Sequence, residues 1–191
     1  MNIREFCENL LKNYEEMSSA FSIAQTKNNL QCPSNCGRCC ENPSIEASVL
    51  EMLPMALYLH DNNLTDTYLE KIDQAMNTTQ YCVGFQNNRC HFYKFRPIIC
   101  RMFGVSGQID KNKELRASIC KILKEHYPQD SHKVILDPEN YDLPVMTHWA
   151  SKLLTLEPEL LSNRMHINLA LQKAIHKVEL HLFYAEQKDV R

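Results

Sequence analysis

Apolar residues at Ile3, Cys7, Leu10, Tyr14, Met17 and Phe21 recur at alternating steps of three and four. That spacing predicts a helix with one buried stripe over roughly 3–24. A seam of this period would also suit a coiled coil, but three heptads are short, so packing on the body of the domain is expected. Cys7 lies on the stripe and reads as a small core residue. Ser48 and Glu51 form a capping box that opens a helix toward His60. Pro54 is expected to bend that helix or delay its start, and Asp61-Asn62-Asn63 to end it. A further run, about 65–76, puts Tyr68, Leu69, Ile72 and Met76 on one side, set to cover the cysteine region.

The period changes between Tyr81 and Tyr93, where two short apolar runs flank Gln86-Asn87-Asn88, the chemistry of a hairpin turn. A two-residue loop at Asn87-Asn88 would set Phe85 opposite Cys90 and Cys82 opposite Tyr93. Cys82 and Cys90 would then face opposite ways, whereas a three-residue loop would put them on one face. Pro97 holds Arg96 extended. Residues 106–112 read as a loop, and 113–126 as a helix with Cys120 near its middle and Leu115, Ile119, Ile122 and Leu123 on the buried side. Beyond Pro128, residues 131–144 read as irregular and 145–154 as a helix carrying Trp149. Pro158 then opens a last long helix to about Gln187, with Leu161, Met165, Leu171, Ile175 and Leu182 along its apolar face.

These elements predict a mainly helical α+β fold: a cysteine-lined metal core with one short β-hairpin, wrapped by N- and C-terminal helices. The expected organisation is an N-terminal amphipathic helix over 1–30, a cysteine-cluster metal-binding domain over 31–127, and a helical extension over 128–191 packed on the same domain.

Composition narrows the picture. With 191 residues and 44% hydrophobic content the chain can bury a real core, and only four glycines favour helices over a many-turned β fold. No run approaches the roughly 18 apolar residues of a membrane helix, and acidic residues stand where a signal peptide would be apolar. The expectation is therefore a cytoplasmic protein with no membrane partner, whose thiols stay reduced. Nine cysteines, an odd count, suit a disulfide framework poorly. From Arg89 to Lys124 there are nine Lys/Arg against Asp110 and Glu114, a local excess of +7. The stretch lacks the aromatic and glycine interleaving of a nucleic-acid platform, so its charge reads as balance for a thiolate–metal centre.

The chemistry is concentrated in Gln31–Cys40, QCPSNCGRCC, with Cys32, Cys36, Cys39 and Cys40. Thiols this crowded need a common partner, and in a reducing compartment that partner is a soft metal. Cys82, Cys90, Cys100 and Cys120 supply the other half of the donor set. Neighbouring side chains diverge, so Cys39 and Cys40 are expected to serve different sites or different shells. Eight thiols equal two Cys₄ sites, or one cluster with spare sulfur. Arg96 and Arg101 flank Cys100 and are read as donors to the centre's sulfurs. The alternative for them is helix capping and pairing with Glu41 or Asp73. The eight histidines are scattered, and His91, beside Cys90, reads as a surface residue.

CPSNCGRCC followed by CVGFQNNRCHFYKFRPIICRMF and then Cys120 resembles the YkgJ-type cysteine-cluster family, described as a zinc- or iron-chelating domain with a CxxCxxCC signature. Cys90, Tyr93, Arg96, Pro97, Cys100, Arg101 and Phe103 fall in step with its second block. The gap from Cys32 to Cys36 is one residue longer than the signature, which makes Cys32 the least secure of the carried-over ligands. The resemblance implies zinc or iron, including a [4Fe–4S] cluster, and zinc is the first choice because it forms stable thiolate sites without assembly machinery. The family includes flagellin lysine N-methylases, so it also implies an alternative: an iron–sulfur-dependent methyltransferase of protein lysine using S-adenosylmethionine. No Gly-rich cofactor loop accompanies that alternative here. The Cys32/Cys36/Cys39 spacing also matches radical S-adenosylmethionine enzymes, but the partial barrel those require does not follow. A third reading is an interaction module in which metal only builds the fold and the basic face or apolar helices recruit a protein partner.

Overall fold

The computed structural model describes residues 2–34, 36–131 and 145–189, so the irregular stretch expected at 131–144 lies almost wholly outside them. In chain order the helices are α1 (Ile3–Lys27), α2 (Val49–Asp61), α3 (Thr65–Met76), α4 (Ile98–Met102), α5 (Lys121–His126), α6 (Pro128–Ser131), α7 (Met146–Leu156) and α8 (Ile167–Asp189). The strands are β1 (Glu46–Ala47), β2 (Phe85–Gln86), β3 (Arg89–Cys90), β4 (Val105–Ile109), β5 (Leu115–Ile119) and β6 (Met165–His166). They form three separate antiparallel pairs, β1–β6, β2–β3 and β4–β5. The fold is mainly helical α+β. Among the described residues no helix is long and apolar enough to cross a membrane.

The body is α2 packed between α1 and α8. The α1 stripe buries Ile3, Phe6, Cys7, Leu10, Tyr14, Met17 and Phe21, as its periodicity requires. Burial pushes the Cys7 thiol up to about 12, so it behaves as an apolar residue. The Ser48–Glu51 capping box is present, and α2 runs straight through Pro54. Leu50 to Ala56 are all buried, and that apolar burial outweighs the one backbone bond proline removes. On α8, Ile167, Ala170, Leu171, Ala174, Ile175 and Val178 close the core.

Two expected helices take another form. Residues 105–119 form a hairpin, with Val105 opposite Ile119 and Ile109 opposite Leu115. The Asp110 carboxylate accepts from the Asn112 and Glu114 amides, and Lys113 adopts a left-handed φ of 64°, which closes the turn. Leu115, Ala117 and Ile119 alternate with polar Arg116 and Ser118, and that two-residue period wins over the four-residue one shared by Leu115 and Ile119. Cys120 consequently sits at the N-cap of short α5, its amide bonded to Gly104 O (2.8 Å), not mid-helix. Near the C-terminus, Pro158 starts only a 3-10 turn, Pro158–Leu161. Asn163 reverses the chain at φ 51°, Met165–His166 pairs with Glu46–Ala47, and the helix begins at Ile167. Leu161 and Met165 thus belong to other elements than Leu171, Ile175 and Leu182.

Candidate metal centre

All nine cysteines are free thiols, and eight of them come from four separate stretches of chain. The first stretch turns twice, with the Cys36 amide on Pro33 O (3.1 Å) and the Cys40 amide on Gly37 O (2.8 Å). The second is the hairpin β2–β3, whose loop is the two-residue Asn87-Asn88, both left-handed, with Phe85 opposite Cys90. The ladder ends there, so it does not carry Cys82 to the opposite face. The chain turns instead, with the Phe85 amide on Cys82 O (2.9 Å). A Cβ at Gly84 would lie 3.6 Å from Cys82 Sγ and 3.9 Å from Cys90 Sγ, so both sulfurs flank the same glycine.

The first two stretches touch directly. The Cys82 amide donates to Cys40 O (3.3 Å). Gly37 lies so close to the hairpin that a Cβ there would meet the Phe85 ring at 2.3 Å and Asn88 O at 2.6 Å. Only glycine allows that approach. Cys100, on α4, is buried.

Cys32, Cys36, Cys39, Cys40 and Cys90 line one cavity of about 500 Å³, whose remaining wall includes Arg89, His91, Tyr93 and Arg96. The Cys40 thiol is neighboured by those of Cys39 and Cys90. That proximity lowers the Cys39 and Cys90 pKa values and raises that of Cys40. Burial pushes Cys82 up to about 12 and Cys100 well above the ordinary thiol range. Burial also raises Cys32, helped by the charges of Cys36, Cys120 and Cys39. Among the described residues, no three Cys, His, Asp or Glu side chains close on a single point as a ready ion site.

Arg96 stacks on Tyr93 at 3.5 Å from the ring centroid and donates to Cys100 O (3.2 Å). After the neighbouring Cys40 thiol, and against the effect of burial, the Arg96 charge favours thiolate at Cys39. Its Nε is buried with no partner among the described residues, an orphaned donor in the cavity wall. Arg101 is placed differently. It is buried, and its donors go to Arg96 O, Tyr14 O, Ser18 Oγ and Lys94 O, fastening the 94–96 segment to α1. Neither arginine pairs with Glu41 or Asp73.

Two further residues position the thiols, and sequence reasoning gave them no such role. Buried Glu51 accepts from the Ser48 amide (2.7 Å), from the Ile98 amide that opens the Cys100 helix (3.2 Å), and from Arg164 (2.8 Å). Burial raises its pKa, with Arg164 opposing. Buried Asn168, at the start of α8, accepts from the Val83 amide (3.0 Å) and donates to Tyr81 O (2.8 Å), so it grips the chain on both sides of Cys82. The capping box marked Glu51 but not its second and third partners, which lie far away in sequence. No local pattern marks Asn168.

Residues 31–126 match the model of the family CxxCxxCC, described as a "putative zinc- or iron-chelating domain". The chain belongs to this family. The CxxCxxCC match takes in both cysteine groups and Cys120, and leaves α1 and α8 outside. No curated protein and no solved structure matches the chain. Metal binding is the CxxCxxCC property that the donor set can be tested against. Free, soft, converging thiols and an unpartnered guanidinium N–H in the cavity wall fit a thiolate-bound metal.

Proposed function

We propose that the chain chelates zinc or iron through the thiolates of Cys32, Cys36, Cys39, Cys40, Cys82, Cys90, Cys100 and Cys120. The observation that carries the reading is a single cavity lined by five cysteines from two distant stretches of chain, Cys32 to Cys40 and Cys90. Zinc comes first, because it forms closed thiolate sites without assembly machinery. The bound cation supplies charge that holds the thiols deprotonated and a point on which the stretches lock. The protein's own residues do the positioning: Gly37 seats the first stretch on the hairpin, Asn168 grips Cys82, Glu51 anchors the Cys100 helix, and Arg96 adds positive charge. Iron, as an iron–sulfur cluster, is the second reading, favoured because eight thiols exceed one closed zinc site.

Anaerobic purification with elemental analysis and a visible spectrum tests this. Zinc with no visible absorption supports the first reading, and iron with sulfur-to-iron charge-transfer bands supports the second. Folded protein that stays empty after growth with both metals rejects both.

A further inference from the structure

We infer that the eight thiols form two centres: an inner one of Cys40, Cys82, Cys90 and Cys100, and an outer one of Cys32, Cys36, Cys39 and Cys120. The inference rests on the thiolate–metal reading above.

Packing separates the two groups. Cys82, Cys90 and Cys100 pack on the main apolar core. Cys120 belongs to a separate small cluster built on Leu30, Val105 and Leu123, and Leu30 lies two residues before Cys32. Backbone contacts divide the same way. Cys40 is joined to Cys82 through its carbonyl, and Cys82 and Cys90 share the surroundings of Gly84. Burial marks the two extremes: Cys40 and Cys100 are 6% and 8% exposed and Cys32 is exposed, with Cys36, Cys39, Cys82, Cys90 and Cys120 half-buried between them.

The vicinal pair then has a physical role. Cys40 turns inward and Cys39 outward, so one 3-10 turn, Arg38–Glu41, hands one sulfur to each centre. Cys36 and Cys39 keep the two-residue spacing common in zinc sites. The inner set reaches the cavity only through Cys40 and Cys90, whereas Cys32, Cys36 and Cys39 of the outer set line it beside Arg89, His91, Tyr93 and Arg96, so the outer centre is the more open to solvent and other molecules.

The test uses the full chain, made metal-free and reconstituted with zinc alone. Expected are two zinc per chain, released to a chelating dye in two phases at least tenfold apart in rate. Cys32→Ser and Cys120→Ser each retain one zinc and lack the fast phase. Cys82→Ser and Cys100→Ser are expected to lack the slow one. If those two fail to fold, the Cys32 and Cys120 variants decide alone. A single zinc per chain, release in one phase, or loss of all zinc from Cys120→Ser overturns the division but leaves metal binding standing. No zinc bound by the native chain overturns the division and the zinc reading together, and leaves iron to the spectrum of the anaerobic preparation.

Discussion

Between α2 and α8 the contact is apolar throughout: Leu53, Leu59, Ala170, Ala174 and Val178 are inaccessible or nearly so, and both elements are long. Around the cysteines the chain has strands of two residues, 3-10 turns of three or four, and a cavity where the helical body has side chains. The body is held by area removed from water, a non-directional force that tolerates local change. The cysteine region is held by single directional bonds and one close glycine contact, and it encloses thiols whose ionised forms burial disfavours. It is the part whose stability metal should supply.

Chelation should therefore separate the two regions most sharply. With metal removed, amide exchange is expected to accelerate throughout 36–100 outside α2 and α3, while α1, α2 and α8 keep their protection. Uniform loss of protection would show that the two regions fold as one. Glu51→Ala comes next, because Glu51 belongs to both. It leaves the Ser48 and Ile98 amides unpaired and Arg164 with Glu46 O but no carboxylate, at a cost of about 3 kcal/mol in urea unfolding. Gly37→Ala should confine its damage to the cysteine region, weakening zinc retention roughly tenfold and stability by about 1–3 kcal/mol. Asn168→Ala should cost about 1–2 kcal/mol and speed exchange at Val83. If helix α8 melted in that variant instead, Asn168 would belong to the body.

At neutral pH the smallest expected effect lies in the body alone. In the folded chain the Cys7 thiol is raised from 9.0 to about 12. Between those values the unfolded chain releases this proton and the folded chain keeps it, so stability falls as pH rises through that window and is unaffected below it. Cys7→Ala should flatten the decline in unfolding midpoint between pH 9 and 12 by up to one proton.

The same contrast explains what the sequence made legible. The α1 stripe, the Ser48 cap and the 65–76 run are local codes, and each places its helix to within a few residues. The second hairpin was hidden because Leu115 and Ile119 satisfy both periods, and its turn depends on Asp110 and Lys113. The last helix was started too early because Pro158 suits any first turn, while Asn163 and the pairing of β6 with distant β1 decide where it begins. In the site, the cysteines and Arg96 were visible as residue types. The grip of Asn168 on Cys82, the reach of Glu51 to Ile98 and the diversion of Arg101 to α1 are all long-range, and no spacing along the chain encodes them.

The backbone bond from Cys82 to Cys40 closes a long loop in the folded chain. A cation held by the two side chains would close the same loop a second time, so bond and cation should be gained and lost together. The Cys82 amide is then the single proton whose exchange reports whether the centre is filled.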